Sequence, residues 1–243
     1  MPQSSLIMAL HGFLGQGTDW SQIKKSFLND QSVDFETPQL FGHGSASISD
    51  LETYARESIV IPPGSFQKKI FIGYSLGGRI GLALLSQKPE LFDHYVFLST
   101  NPGFRHEQES ERLERLDADQ NWSSKISRPN WMQFLKEWNA QKVFESSKQE
   151  PVRDIENYDV NKLQDALVKW SLGRQKDYSN VIQLNNNKMT WVVGDKDQKY
   201  LDGAEDLKQK KILLDYKRIS SGHRIWLDQP QAIVELLHQL LNC

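Results

Sequence analysis

Ser75 lies between glycines in Gly73-Tyr74-Ser75-Leu76-Gly77, a G-x-S-x-G pattern with an apolar, strand-length run before it and a helix-forming run after it. A turn that tight leaves no room for side chains at the flanking positions, and glycine removes the clash. The serine then projects at the carboxyl edge of a sheet, where the Leu76 N–H at the start of the helix points into the same space. A serine at its free pKa is a weak nucleophile and a weak base, so it needs a partner. Downstream, "WVVGDKDQKY" sets Asp195 and Asp197 just after one strand, and "RISSGHRIWLDQP" sets His223 just after the last one. Asp197 is the favoured carboxylate, because Asp195 directly follows Gly194 and is better placed to shape the turn. His223 alone would read as a loop histidine satisfied by backbone. Three partners in the order Ser, Asp, His, each at a strand end, read instead as a catalytic triad.

Other groups bear on the same edge. In "HGFLG" the Phe13 N–H follows the first strand and can join that of Leu76 in receiving negative charge. Arg79 falls in the first turn of the helix that Ser75 opens, where the macrodipole disfavours a cation by about 0.3–1 kcal/mol. A cation there wants an anion: a substrate carboxylate beside Ser75 or, on the competing reading, a salt bridge to a cap residue. Arg112 and Arg115, three apart in "SERLERLDADQNW", share a helix face, with Glu111 and Glu114 as ready neighbours. His11 and His43 sit in glycine-bounded loops and read as structural, while His94, His106 and His238 read as surface residues. No HExxH, CxxC or GxxxxGK spacing occurs and the dinucleotide fingerprint is missing, so no metal and no cofactor is expected.

To hold these groups together, strands must end at a common edge. The apolar runs predict strands at Leu6–Leu10, Val33–Thr37, Ile70–Gly73, Tyr95–Ser99, Thr190–Gly194 and Leu214–Ile219. Helices are predicted after Thr18 as N-cap (Trp20, Ile23 and Phe27 on one face), over Ser49–Ile61, over Leu76–Ser86, and from Pro230 with a stripe of Ile233, Leu236, Leu237, Leu240 and Leu241. The alternation argues for an α/β fold with a mostly parallel sheet. From residue 101 to residue 187 no strand is evident, yet Trp122, Trp131, Trp138 and Trp170 all fall there. About 85 residues exceed a single crossover, which needs about a dozen or more, so this stretch reads as a helical cap over the sheet's carboxyl edge. The expected organisation is one domain: a core of residues 1–100 and 188–243 with a cap of residues 101–187 inserted.

Composition excludes several classes. With 29 basic against 31 acidic residues the charge is nearly balanced, and no basic stripe offers itself to nucleic acid. No apolar stretch reaches membrane-spanning length, and "SLIMAL" is a strand rather than a leader. Cys243 is the single cysteine, so no intrachain disulfide forms. A cytoplasmic protein is expected, monomeric or weakly homo-oligomeric, with no nucleic-acid or membrane partner.

"HGFLGQGTDW", "GYSLGGR", "NPG" and R-x-x-R-x-x-x-D-x-x-W (Arg112, Arg115, Asp119, Trp122) together resemble one family: the 2-succinyl-6-hydroxy-2,4-cyclohexadiene-1-carboxylate synthases of menaquinone biosynthesis, which have the α/β-hydrolase fold. The resemblance runs from Leu10 to Pro230; its specific parts are "GYSLGGR" and the arginine–tryptophan pattern. It implies a lyase without metal or organic cofactor that eliminates pyruvate from a small polycarboxylated cyclohexene. Carried over by motif, Ser75, Asp197 and His223 form the triad, and Ser75 removes a ring proton. Arg79 and Arg115 grip carboxylates, Tyr74 and Trp138 line the pocket, and the Phe13 and Leu76 amides receive the developing charge. The family's further cap arginine has no counterpart in "LVKWSLGRQ", where Lys169 or Arg174 would stand in. Near the histidine this chain reads "GHRIW", so Arg224 and Trp226 alter that wall. The alternative is a carboxylesterase or thioesterase using the same triad on an acidic acyl substrate. A catalytically silent binding module would have lost a triad member, and none is lost.

Overall fold

The computed structural model describes residues 4–40 and 49–242; His43 and Cys243 lie outside the described residues. Six strands form one sheet: β1 (Ser4–Leu10), β2 (Val33–Glu36), β3 (Phe66–Tyr74), β4 (His94–Leu98), β5 (Met189–Gly194) and β6 (Lys217–Ile219). Their order is β2-β1-β3-β4-β5-β6 and every pairing is parallel. The chain leaves β1 toward one side for β2 and returns on the other side for β3. The crevice at the carboxyl ends of β1 and β3 is therefore a topological switch point, where α/β sheets bind ligands.

Side-chain alternation decides what covers each face. Leu6, Met8, Leu10, Phe71, Tyr95, Phe97, Trp191 and Val193 pack on one side, against α2 (Leu51–Ser58), α3 (Leu76–Gln87) and α8 (Gln198–Gln209). Ile7, Ala9, Ile70, Ile72, Val96, Leu98 and Val192 pack on the other, against α1 (Ser21–Lys25) and α10 (Pro230–Leu241), with α9 (Ile225–Asp228) at its margin. Burial on both faces explains why these strands read as continuous apolar runs.

Three predicted boundaries shift. Thr18 is not the N-cap of α1; it sits inside a 3-10 turn over Gly17–Trp20, where the Asp19 carboxylate accepts the Gln16 N–H at 3.1 Å. The cap of α2 is Asp50, which accepts the Thr53 N–H at 2.8 Å. β6 is shorter than Leu214–Ile219 because the preceding apolar residues close α8 instead: the Ile212 and Leu213 N–H groups return to the Leu207 carbonyl, burying Leu213 and leaving Leu214 outside.

Between β4 and β5 the described residues are helical, with α4 (Glu109–Lys125), α5 (Trp131–Asn139), α6 (Val160–Lys169) and α7 (Ser179–Leu184) joined by short 3-10 turns. Ile126, Trp131, Phe134, Tyr158, Leu163 and Leu167 give this region its own apolar cluster, which Leu14 of the β1 loop joins. A polar clamp accompanies it. Arg153 holds Asp19 with two parallel hydrogen bonds of 2.6 and 2.8 Å, and both side chains are buried. Among the described residues no helix is long and apolar enough to cross a membrane.

His94 is not the surface residue its sequence context suggests. It is half-buried at the start of β4, its Nε2 lies 2.8 Å from Thr190 Oγ1, and burial lowers its pKa to about 4, with the Lys68 charge adding to the effect.

Two stability predictions follow from these contacts. Removing either partner of the buried clamp leaves the other charge stranded, so Asp19→Ala or Arg153→Met should each cost about 3–5 kcal/mol. The double variant should lose clearly less than the sum of the two in urea titrations; simple additivity would mean the pair is not coupled. The folded state disfavours the protonated imidazole of His94, so the unfolded chain binds more protons between pH ~6.5 and ~4 and stability falls as pH drops through that window. His94→Gln should flatten that part of the stability–pH curve, and an unchanged slope would rule His94 out as its source.

Candidate active site

β3 runs directly into α3, and the turn between them is as tight as its glycines predict. A Cβ on Gly73 would come within 2.6 Å of the Gly77 and Gly78 backbone, and one on Gly77 would strike the carbonyl oxygen of Leu10. Ser75 is driven to φ 51°, a left-handed conformation that costs a non-glycine residue about 1–3 kcal/mol. Its N–H is anchored to the Leu98 carbonyl at 2.9 Å. The β1 loop is held by His11, which is buried and structural as expected. The Leu40 N–H donates to Nε2 at 3.1 Å, so the proton resides on Nδ1 and is donated to the Gly12 carbonyl at 2.8 Å. Among the described residues neither the Phe13 nor the Leu76 N–H has an acceptor, and both residues line the same chamber as Ser75.

Asp197 and His223 meet as the chain order predicts, with Nδ1 of the imidazole 2.6 Å from Oδ2 of the carboxylate. Both are buried, and the other Asp197 oxygen, Oδ1, has no partner. Asp195 instead accepts the Ser221 N–H at 3.1 Å and shapes the loop that carries the histidine. The ring of His223 is caged by Tyr200 at 4.5 Å, Tyr74 at 5.3 Å and Phe144 at 5.6 Å between centroids. Ser75 and His223 line one chamber, and no hydrogen bond joins them in this state. Such contacts often tighten only once substrate is bound.

The chamber has a volume of about 290 Å³. Its apolar walls include Trp122, Trp138 and Trp170; Trp138 packs against Phe13 at 5.1 Å and Trp122 at 5.2 Å. Among the described residues three cations line it, Arg79, Arg115 and Lys199, against a single carboxylate, Asp119. The competing salt-bridge reading of Arg79 fails, since its hydrogen bonds go to neutral acceptors: Nε to the Gln175 side-chain carbonyl, Nη2 to the Trp170 carbonyl at 2.6 Å. Burial lowers its pKa to about 10, with the Arg115 charge second, so it stays charged at neutral pH. Arg115 uses Nε on both Asp119 oxygens, at 2.8 and 2.9 Å, and among the described residues its terminal nitrogens have no acceptor. Arg112 turns away, to Glu109 and the Gly173 carbonyl.

Three sequence-based assignments need correction. Tyr74 is absent from the chamber wall; it lies behind His223, packs on Trp226 at 6.3 Å and borders a separate small cavity, and burial pushes its phenol well above the ordinary range. Alternation along β3 explains this: Tyr74 shares the Ile70 and Ile72 face, opposite α3. Neither Lys169 nor Arg174 reaches the chamber: Lys169 faces Asp165 on the surface, and Arg174 Nε donates to the Val168 carbonyl. Arg224 and Trp226 also stay out of the chamber. Arg224 lies 4.1 Å over the Phe144 ring and bonds Asn139 and the Gln149 carbonyl, tying that segment to the histidine loop. Lys199 and Tyr200, which sequence reasoning passed over, line the chamber from the first turn of α8. The signal was present: Lys199 is a cation in the first turn of a helix, the feature that marked Arg79.

Comparison with known proteins gives a consistent outcome. The protein of Citrobacter koseri named 2-succinyl-6-hydroxy-2,4-cyclohexadiene-1-carboxylate synthase is 25% identical over 249 residues, covering 99% of this chain and 95% of its own. The Klebsiella pneumoniae protein of that name is 24% identical, covering 97% and 93%. Among solved structures, MenH from S. aureus superposes with a TM-score of 0.75 at 18% identity, covering 100% of this chain and 95% of its own. An esterase from Thermogutta terrifontis with malate bound does so at 0.67 and 14%, covering 99% and 90%. At those identities the two superpositions speak to the fold. The alpha/beta hydrolase family model matches residues 7–236, nearly the whole chain. On that match and on the sheet that carries the site, the chain belongs to the alpha/beta hydrolase family.

Proposed function

We propose that this enzyme is a cofactor-independent lyase that eliminates pyruvate from a polycarboxylated cyclohexene, the reaction of a 2-succinyl-6-hydroxy-2,4-cyclohexadiene-1-carboxylate synthase. The observation that carries the reading is the buried Arg79 guanidinium. It lines the serine's chamber, is met only by neutral acceptors, and stands beside a second arginine with free terminal nitrogens. A chamber so charged favours a ligand with several carboxylates. The names of the full-length relatives point the same way.

In this reading Asp197 accepts a hydrogen bond from Nδ1–H of His223, which leaves Nε2 free to take the proton of Ser75. The serine oxygen, as base, removes a ring proton next to a carbonyl. The Phe13 and Leu76 amides receive the charge that builds on that carbonyl oxygen. As the ring double bond forms, the carbon–oxygen bond to the enolpyruvyl group breaks. The departing enolate takes a proton on carbon and leaves as pyruvate, so no proton is consumed overall. Tyr74 and Tyr200 brace the imidazole, and Trp138 closes the apolar wall opposite the cations.

The alternative is ester hydrolysis, because the same serine and amide pair also suits an acyl-enzyme. Incubation with the enolpyruvyl intermediate and, separately, with p-nitrophenyl esters separates the two. Pyruvate release with slow ester turnover is expected, and rapid ester turnover without pyruvate would favour the hydrolase. Ser75→Ala should lower kcat for pyruvate release by about 10²–10⁴-fold, the usual weight of a general base. Arg79→Lys keeps the charge but loses the planar fork, and should lower kcat/KM by roughly tenfold or more with the fold intact by circular dichroism. Unchanged kinetics in that variant would remove Arg79 from substrate binding.

A further inference from the structure

We propose that Lys199 is a specificity-determining residue of this site, binding a carboxylate separate from the one beside Arg79, so that the chamber selects ligands with an additional anionic arm. The inference rests on the polycarboxylate reading above and extends it to a residue that the sequence motifs leave out.

Lys199 lines the same chamber as Ser75, Arg79 and Arg115. Among the described residues its ammonium group has no hydrogen-bond or ion-pair partner. Most exposed lysines on this molecule that line no cavity need no explanation, and several are paired: Lys125 with Glu137, Lys188 with Glu90, Lys208 with Asp215. Lys199 is different in three respects. It stands in the first turn of α8, a helix with no acidic residue in that turn, where the partial positive charge of the helix end opposes it. It stands near Arg115, whose like charge opposes it again, while Asp197 and Asp119 favour it more weakly. And although its side chain is exposed, it lines the chamber, and partial desolvation lowers the ammonium pKa before any charge acts.

The same arrangement recurs across the chamber. Arg79 is the cation in the first turn of α3, again with no acidic residue in that turn. Two helices thus present their N-terminal ends to one space, each carrying a cation where the dipole disfavours it. With Arg115 between them and Asp119 already engaged by Arg115, the lining holds three cations to one carboxylate. The excess of two positive charges is relieved when a ligand supplies anionic groups at both helix ends. A dicarboxylate held by Arg79 and Arg115 leaves Lys199 unmet, and a third carboxylate reaches it. Lys199 follows Asp197 by two residues on α8, whereas Arg79 belongs to α3 and is oriented by the Gln175 and Trp170 acceptors, so the two cations are carried by different elements. A lysine suits this place, since a compact ammonium on a flexible stem can follow an anionic arm whose direction is not fixed.

The test uses two small probes differing by one carboxylate, tricarballylate and glutarate, with the purified full chain and calorimetric titration at pH 7.5 and low salt. The wild type should bind tricarballylate at least ~10-fold more tightly than glutarate, the factor expected of one charge-assisted contact. Lys199→Gln should abolish that advantage while changing glutarate affinity less than about twofold, and Lys199→Arg should restore most of it. Lys199 is exposed, so the variants should keep the wild-type melting temperature. An unchanged affinity ratio in Lys199→Gln, an equal loss for both probes, or no preference in the wild type would each overturn the proposal. Failure of the lyase reading is seen separately, as absence of pyruvate release, and leaves these binding ratios as measured. Conversely, pyruvate release with an unchanged affinity ratio would sink Lys199 alone.

Discussion

The close approach of two backbone segments governs this site: the end of β1 against the first turn of α3. Gly77 sits where any Cβ would strike the Leu10 carbonyl, and a Cβ on Gly12 would come within 2.8 Å of the Tyr74 ring. Because the backbones touch, the amides that follow each strand border one space, and the serine between them has nowhere to go but outward. The left-handed conformation of Ser75 is the cost of that geometry. It is sustained by strands whose side chains are buried on both faces, so that the turn cannot relax without shifting the sheet.

Electrostatics around the site follow from what is left unpaired. Asp197 is buried with one oxygen on His223 and the other without a partner, so a full carboxylate charge is concentrated on orienting one imidazole. Arg79 has exchanged water for two carbonyl acceptors, which orient the guanidinium without neutralising it. In surroundings less polar than water both charges reach further than they would on the surface. The histidine end of the chamber thus presents an oriented imidazole, and the arginine end is biased toward holding an anion.

The helical region between β4 and β5 completes the enclosure through a few strong contacts. The Arg153–Asp19 clamp, the Tyr158 hydroxyl on the Leu14 carbonyl at 2.8 Å, and Arg224 on Asn139 join it to the β1 and histidine loops. These links place Trp138 and Phe144 beside the site, so the aromatic wall and the triad are positioned by the same loops. Arg153 and Arg224 carry no sequence signal for this work, because their partners lie 134 and 85 residues away along the chain.

Several features were legible in the amino-acid sequence because they are local. The G-x-S-x-G turn, the strand ends that carry Asp197 and His223, the parallel α/β order and the strand-free stretch rich in tryptophan all express short-range rules of backbone geometry and burial. What could not be read was direction. Tyr74 belongs to the motif yet points behind the histidine, because the pleat of β3 assigns it to the far face. Lys169 and Arg174 occupy promising positions in sequence but are not among the described residues that line the chamber, while Lys199, outside every motif, is. Which cation reaches a ligand depends on how two helices and a sheet edge converge, and no spacing along the chain encodes that angle. The sequence by itself determined which chemistry was available. Tertiary packing decided which side chains share the space where it can act.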